Sequence, residues 1–154
     1  MDRVQLIKEV QRYFSLRELV DEPTYKKYGD FAWNFFDTRM LETLFEIRDK
    51  IIKKPITIND WHVGGKFSQR GLRTNLSPEV LSKTNKNSIS MSAHSTGKGW
   101  DMDVKGMTAE EVRQELIRKG AKLPHPIRLE KDVNWVHCDI YNDGRESNVL
   151  LFKV

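Results

Sequence analysis

The sequence predicts an α+β domain in which an antiparallel sheet is flanked by helices. Three observations carry that expectation. A one-sided apolar stripe runs over 38–53, a second helical stripe follows Thr108, and two stretches, 100–104 and 133–141, alternate in character residue by residue. With 154 residues, 38% apolar and 31% charged, the chain has the size of one unit over 1–154, with a helical N-terminal segment over about 1–53.

The elements follow in order. Phe14-Ser15-Leu16-Arg17-Glu18-Leu19 reads as a helix start near 15–21: Ser15 caps, Glu18 completes a capping box and Phe14 staples onto Leu19. Met40, Leu41, Leu44, Phe45, Ile47, Ile51 and Ile52 form the stripe of the main core helix over 38–53, which must stop before Pro55. The β-branched run 56–59 reads as a strand, broken by Gly64-Gly65. The stretch 73–90 is mostly polar, with Val80 and Leu81 among its few apolar residues, and reads as a long surface loop with one helical turn. In the strand 100–104, Asp101 and Asp103 share one face while Trp100, Met102 and Val104 take the other. Thr108 and Glu111 box the start of a helix over 109–119, with Gly120 expected to end it in a left-handed conformation. In the strand 133–141, Trp135, His137, Asp139 and Tyr141 point one way and Val136, Cys138 and Ile140 the other. Residues 142–145 then read as a hairpin turn leading into a closing strand over 148–154.

Composition excludes several classes. Seven Phe, four Trp and four Tyr are too many for a disordered chain, and no run approaches the roughly 20 apolar residues that cross a bilayer. The first residues mix charges with isolated apolar side chains, so no cleavable signal is expected and synthesis is expected to be cytoplasmic. The single cysteine, Cys138, leaves no intrachain disulfide and no Cys-rich zinc finger, so any metal falls to His and carboxylate ligands. A net charge of +4 suits polyanionic surroundings, yet no helix has a basic face interleaved with aromatics, so nucleic acid is not an expected partner. A monomer is expected.

The strand 133–141 sets His137 and Asp139 beside bulky aromatics, and titratable groups so close to a core need partners. His94 and Asp101 stand at the two ends of the Gly97-Lys98-Gly99 bend, which can fold one back toward the other. A catalytic zinc takes His nitrogen at about 2.0 to 2.1 Å and carboxylate oxygen at about 2.0 to 2.2 Å, with three protein ligands and a fourth position for water. His94, Asp101 and His137 meet that count.

Ser92-Ala93-His94-Ser95-Thr96-Gly97-Lys98-Gly99-Trp100-Asp101 resembles the S-x-H-x-x-G-x-A-x-D motif of the zinc D-Ala-D-Ala metallopeptidases, relatives of the Hedgehog fold. It differs only at Gly99, where the motif has Ala. Trp135-Val136-His137-Cys138-Asp139 is similar to the family's aromatic-x-His-x-Asp strand, which supplies the third zinc ligand. Residues 56–59 followed by Gly71-Leu72-Arg73 resemble its strand and Gly-aromatic-Arg element, and 14–19 resemble the start of its phage-borne members.

The resemblance implies a zinc metallopeptidase, D-Ala-D-Ala carboxypeptidase- or endopeptidase-like, that hydrolyses a peptide bond in bacterial peptidoglycan stem peptides or cross-bridges. Its expected setting is a phage lytic enzyme, or endolysin, that reaches the cell wall through a companion pore or on a virion. Zinc would lie on His94, Asp101 and His137, and Arg73 would add positive charge at the oxyanion, with Arg70 the alternative if the loop register differs. Many family members carry Glu or Asp three residues before the last zinc histidine, where this chain has Asn134. Asp139 and Asp132 are the nearest replacements for a general base, and Asp139 could equally orient a ligand. If neither reaches the water, the chain would be a zinc-binding but inactive wall-binding or virion protein. His62 reads as a loop residue, His125 as part of a rigid exposed turn between two prolines, and Cys138 as a small buried hydrophobe. Asp103 is either a satisfied strand carboxylate or a support for Asp101.

Overall fold

The computed structural model describes residues 1–88 and 90–154. Asp2 and Gln5 box the start of α1 (Arg3–Gln11), a helix that buries only Leu6 and Val10 and so shows little stripe in the sequence. The Ser15–Glu18 capping box is present at α2 (Leu16–Leu19). The helix expected near 15–21 is nevertheless a single turn. Val20 is extended, and Asp21 with Pro23 starts a separate helix, α3 (Glu22–Tyr28), because Pro fits a first turn but cannot prolong a preceding one.

A 3-10 segment (Gly29–Phe35) leads into α4 (Thr38–Glu46), which continues as a π-helical turn (Ile47–Ile52) and closes at left-handed Lys53, ahead of Pro55. The polar stretch 73–90 carries α5 (Pro78–Asn85), longer than one turn, with Val80 alone buried; position 89 of that stretch lies outside the described residues. Thr108 and Glu111 box α6 (Ala109–Arg118). Gly120 is not a left-handed terminator: Lys119 closes α6 at φ −101° and Gly120 opens a short 3-10 turn. No helix among the described residues is long and apolar enough to cross a membrane.

Five strands, β1 (Ile56–Thr57), β2 (Gly99–Val104), β3 (Ile127–Glu130), β4 (Val136–Asp139) and β5 (Val149–Phe152), lie in the order β1-β2-β4-β3-β5. The expected antiparallel sheet is in fact mixed, since β5 runs parallel to β3 while the other pairs are antiparallel. Residues 142–145 therefore do not form a hairpin. β4 has both edges occupied, by β2 and β3, and the returning chain adds outside β3 instead. Asn142 guides that crossing, its amide donating to the carbonyls of Ile127 and Ser147, both at 2.8 Å.

Alternation divides the sheet as the sequence predicts. Trp100, Met102, Ile127, Leu129, Val136 and Cys138 are buried on one face, against which α6 packs, and the charged residues of the same strands take the other. Arg113 of α6 is itself buried and ties the two layers together. Its guanidinium donates to the carbonyls of Val133 and Trp135 at 3.0 Å each, and its Nε to Glu110 at 2.8 Å, which fixes the connection between β3 and β4. Replacing Arg113 with Met leaves those carbonyls unpaired and is expected to cost about 2 to 3 kcal/mol, read as a lower urea midpoint at unchanged slope. An unchanged midpoint would show that this buried arginine does not hold the connection.

Candidate metal centre

Asp101 and His137 are direct cross-strand partners in the β2/β4 ladder, as are Gly99 and Asp139. His137 Nδ1 lies 2.8 Å from Asp101 Oδ1, and its Nε2 lies 2.8 Å from Asp139 Oδ2. Gly99 makes the second pairing feasible. A Cβ at this position would stand 2.7 Å from the Ala93 Cβ and 2.8 Å from the Asp139 Cβ, so the Ala of the resembling motif would collide with the charged cluster here.

His94 reaches the same point from a turn. Lys98 N donates to Ala93 O at 2.8 Å, and Gly97 adopts φ +67° where a Cβ would meet the Phe35 carbonyl at 2.1 Å, so only glycine closes the bend. His94 Nδ1 is 2.9 Å from the Gly71 carbonyl, which can only accept; Nδ1 therefore carries a proton, and Nε2 is the nitrogen turned toward Asp101. That Nε2 lies 3.4 Å from Asp101 Oδ2.

One ligand atom each from His94, Asp101 and His137 lies within 4.8 Å of the others. Donors about 2.0 to 2.1 Å from a tetrahedral centre stand about 3.3 Å apart, so the set is of a size to close on one ion with small rotations. Two imidazoles and one carboxylate opening onto a cleft of about 450 Å³ fit a divalent metal that keeps one position free.

Asp139 is fully buried and accepts four hydrogen bonds: Arg128 Nε and Nη2 and the Tyr141 amide at 2.9 Å each, and His137 Nε2 at 2.8 Å. A carboxylate offers about four acceptor sites, so none is left for a water proton. Of the two roles read for Asp139, the geometry gives orientation of a ligand. Burial opposes charge on all three central groups, but the pairing outweighs it. His137 rises to about 9 through Asp101 and Asp139, Asp101 falls below the usual carboxylate range through His137 and His94, and Asp139 falls through His137 and Arg128.

The other expected residues divide. Arg73 lines the cleft, paired with Glu79 of α5. Arg70 does not; it lies over the Phe67 ring at 3.6 Å and pairs at 2.6 Å with Asp103, which is thereby a satisfied strand carboxylate and no support for Asp101. Asp132, with a side chain 61% exposed, faces Lys153 at 3.4 Å and is not part of the cleft wall, so it is no base for this site. His125 pairs with Glu42 away from the cleft, His62 sits on a 3-10 turn, and Cys138 is buried, which pushes its thiol well up. Arg128, Glu130 and Tyr141 also line the cleft. Arg128 and Glu130 were detectable from their alternation with Ile127 and Leu129, a signal that is faint in so short a strand. No family model, curated protein or solved structure matches the chain.

Two outcomes follow for the metal-free protein and its ligands. A His137 pKa near 9, above its ordinary 6.5, gives stability that is complete below pH 6.5 and lost as pH rises through 9; the depressed Asp101 and Asp139 give stability present above about pH 4 and lost below it. Thermal melts in chelator should plateau between these limits and fall by several degrees toward pH 9, and a flat alkaline arm would refute the buried imidazolium. Asp139→Asn should weaken zinc binding by about 10- to 100-fold in competition with a fluorescent chelator while leaving the chain folded.

Proposed function

We propose that the chain is a zinc-dependent peptidase of the D-Ala-D-Ala metallopeptidase type, hydrolysing a peptide bond in peptidoglycan stem peptides or cross-bridges. The carrying observation is the convergence of His94, Asp101 and His137, from a turn and two paired strands, at one open cleft. Such a set supports this reading because it is the donor chemistry of a hydrolytic zinc site. Bound zinc would polarise the scissile carbonyl and lower the pKa of water to near neutrality. The chain's own residues supply the rest. Asp139, gripped by Arg128, fixes the His137 ring and its tautomer; Arg73 brings a cation to the wall where negative charge develops on the carbonyl oxygen; Trp135 and Phe152 give the cleft apolar surface against which a peptide can lie. The setting that fits is a phage lytic enzyme acting on the wall from the cytoplasm or from a virion.

A second reading is favoured by Asn134, which is exposed and carries no acid where the resembling family has one. On that reading the chain binds zinc and cell wall without cutting. Elemental analysis of protein purified without chelator should give one zinc per chain, and purified peptidoglycan should release soluble peptide with new amine termini. Chelation and His94→Ala should each abolish release. A folded sample without zinc sinks the metal centre, while full zinc with wall pull-down and no new termini leaves the binding protein.

A further inference from the structure

We propose that Glu130 takes the proton from the attacking water, the task for which Asn134 has no chemistry; the assignment rests on the peptidase reading above. Direction is the first support. In β3, Ile127 and Leu129 are fully buried, so Arg128 and Glu130 project from the opposite face, and Arg128 identifies that face by forking onto Asp139.

Proximity is the second. The β3/β4 ladder pairs Arg128 with Asp139 and Leu129 with Cys138, and one further step of the same register sets Glu130 opposite His137. Residues directly opposite in an antiparallel pair hold their Cβ atoms about 4.5 to 5.5 Å apart on one face. Glu130 lines the same cleft as the three donors. Its backbone is fixed on the other side by the parallel pairing with Phe152 of β5.

Availability is the third. Asp101 faces two imidazoles, Asp139 has four donors on its oxygens, and Asp132 lies outside the cleft. The Glu130 carboxylate makes no hydrogen bond and no ion pair among the described residues. Of the three carboxylate side chains that line the cleft, Asp101, Glu130 and Asp139, it is the one with acceptor sites to spare.

The chemistry balances with water and peptide alone. As the water oxygen bonds to the carbonyl carbon, its proton passes to Glu130 and the carbonyl π pair moves onto oxygen. The C–N bond then breaks with its electrons on nitrogen, Glu130 returns the proton to that nitrogen, and the products are one carboxylic acid and one amine.

The test compares zinc-loaded wild type, Glu130→Gln and Glu130→Ala in zinc content, calorimetric affinity for a stem-peptide fragment, and release of amine termini from peptidoglycan. Both variants should keep one zinc and peptide affinity within about threefold while kcat falls by about 10²- to 10⁴-fold at little changed KM. Added formate should restore part of the rate to Glu130→Ala and none to Glu130→Gln. A kcat within threefold of wild type, a loss carried by KM, or a loss of zinc each overturns the assignment. If wild type cleaves and Glu130→Gln cleaves equally, Glu130 alone is wrong; if fully loaded wild type cleaves nothing, the peptidase reading falls and takes this assignment with it.

Discussion

The pairing of β2 with β4 is the constraint on which the cleft depends. A slip of one residue would turn Asp101, His137 and Asp139 into the core and carry Trp100, Met102 and Cys138 to solvent. The register is therefore set by the apolar face. Burial of that face against the helices is strongly favourable, whereas a charged cluster on its own would not choose its alignment. The same ladder that satisfies the core sets Asp101 beside His137 and Asp139 beside Gly99, so the polar site is a consequence of hydrophobic packing on the reverse of two strands.

Charge balance explains how so polar a cluster is tolerated beside the core. Asp101 and Asp139 are held ionised, Arg128 is a permanent cation, and His137 holds a second proton between the two acids. The four groups sum to zero. Exchanging the His137 proton for a divalent cation raises the total to +1, which favours entry of an anionic group into the cleft. Arg128 is the fixed member, since its fork fills one side of Asp139 while its guanidinium lies 4.2 Å over the Phe152 ring. The last strand thus braces the candidate metal site as well as closing the sheet.

Much of this was legible in the chain. The capping boxes at Ser15 and Thr108, the stripe of α4 and the alternation in β2 and β4 follow from local spacing and are present, while the grouping of His94, Asp101 and His137, 36 residues apart at its widest step, was legible only through ligand type and motif resemblance. What was not legible depended on who else occupies an edge. The turn at 142–145 has hairpin chemistry, but a hairpin needs a free neighbouring edge, and β2 and β3 had already taken both sides of β4. The roles of Arg70, Asp103 and Asp132 were open for a related reason, since a charged residue on a strand or loop does not announce its partner. Arg70 and Asp103 found each other, and left-handed Asp132, at φ +65°, turned outward to Lys153. Glu130 does not stand out in the sequence because the four residues of β3 give too short an alternation to mark a strand.

The helical N-terminal segment helps to build the candidate metal site. His94 is the donor not carried by the sheet, and it is held by the Gly71 carbonyl and by the Arg73 amide, which donates to the His94 carbonyl at 3.1 Å. That 70–73 segment is clamped between layers. Leu72 bridges to the end of α2 through Leu19 O at 2.8 Å and Asp21 N at 3.1 Å, while Arg70 O accepts from Asp101 N at 2.7 Å. Buried Asn59 locks the junction, one side of its amide on Val20 O and the other on Arg70 N. The start of α4 is tied in as well, with Asp37 N donating to Gly97 O at 3.0 Å. Helices and sheet therefore share the bonds that aim His94, and a chain lacking the first helices would keep Asp101 and His137 in register while losing the group that completes the donor set.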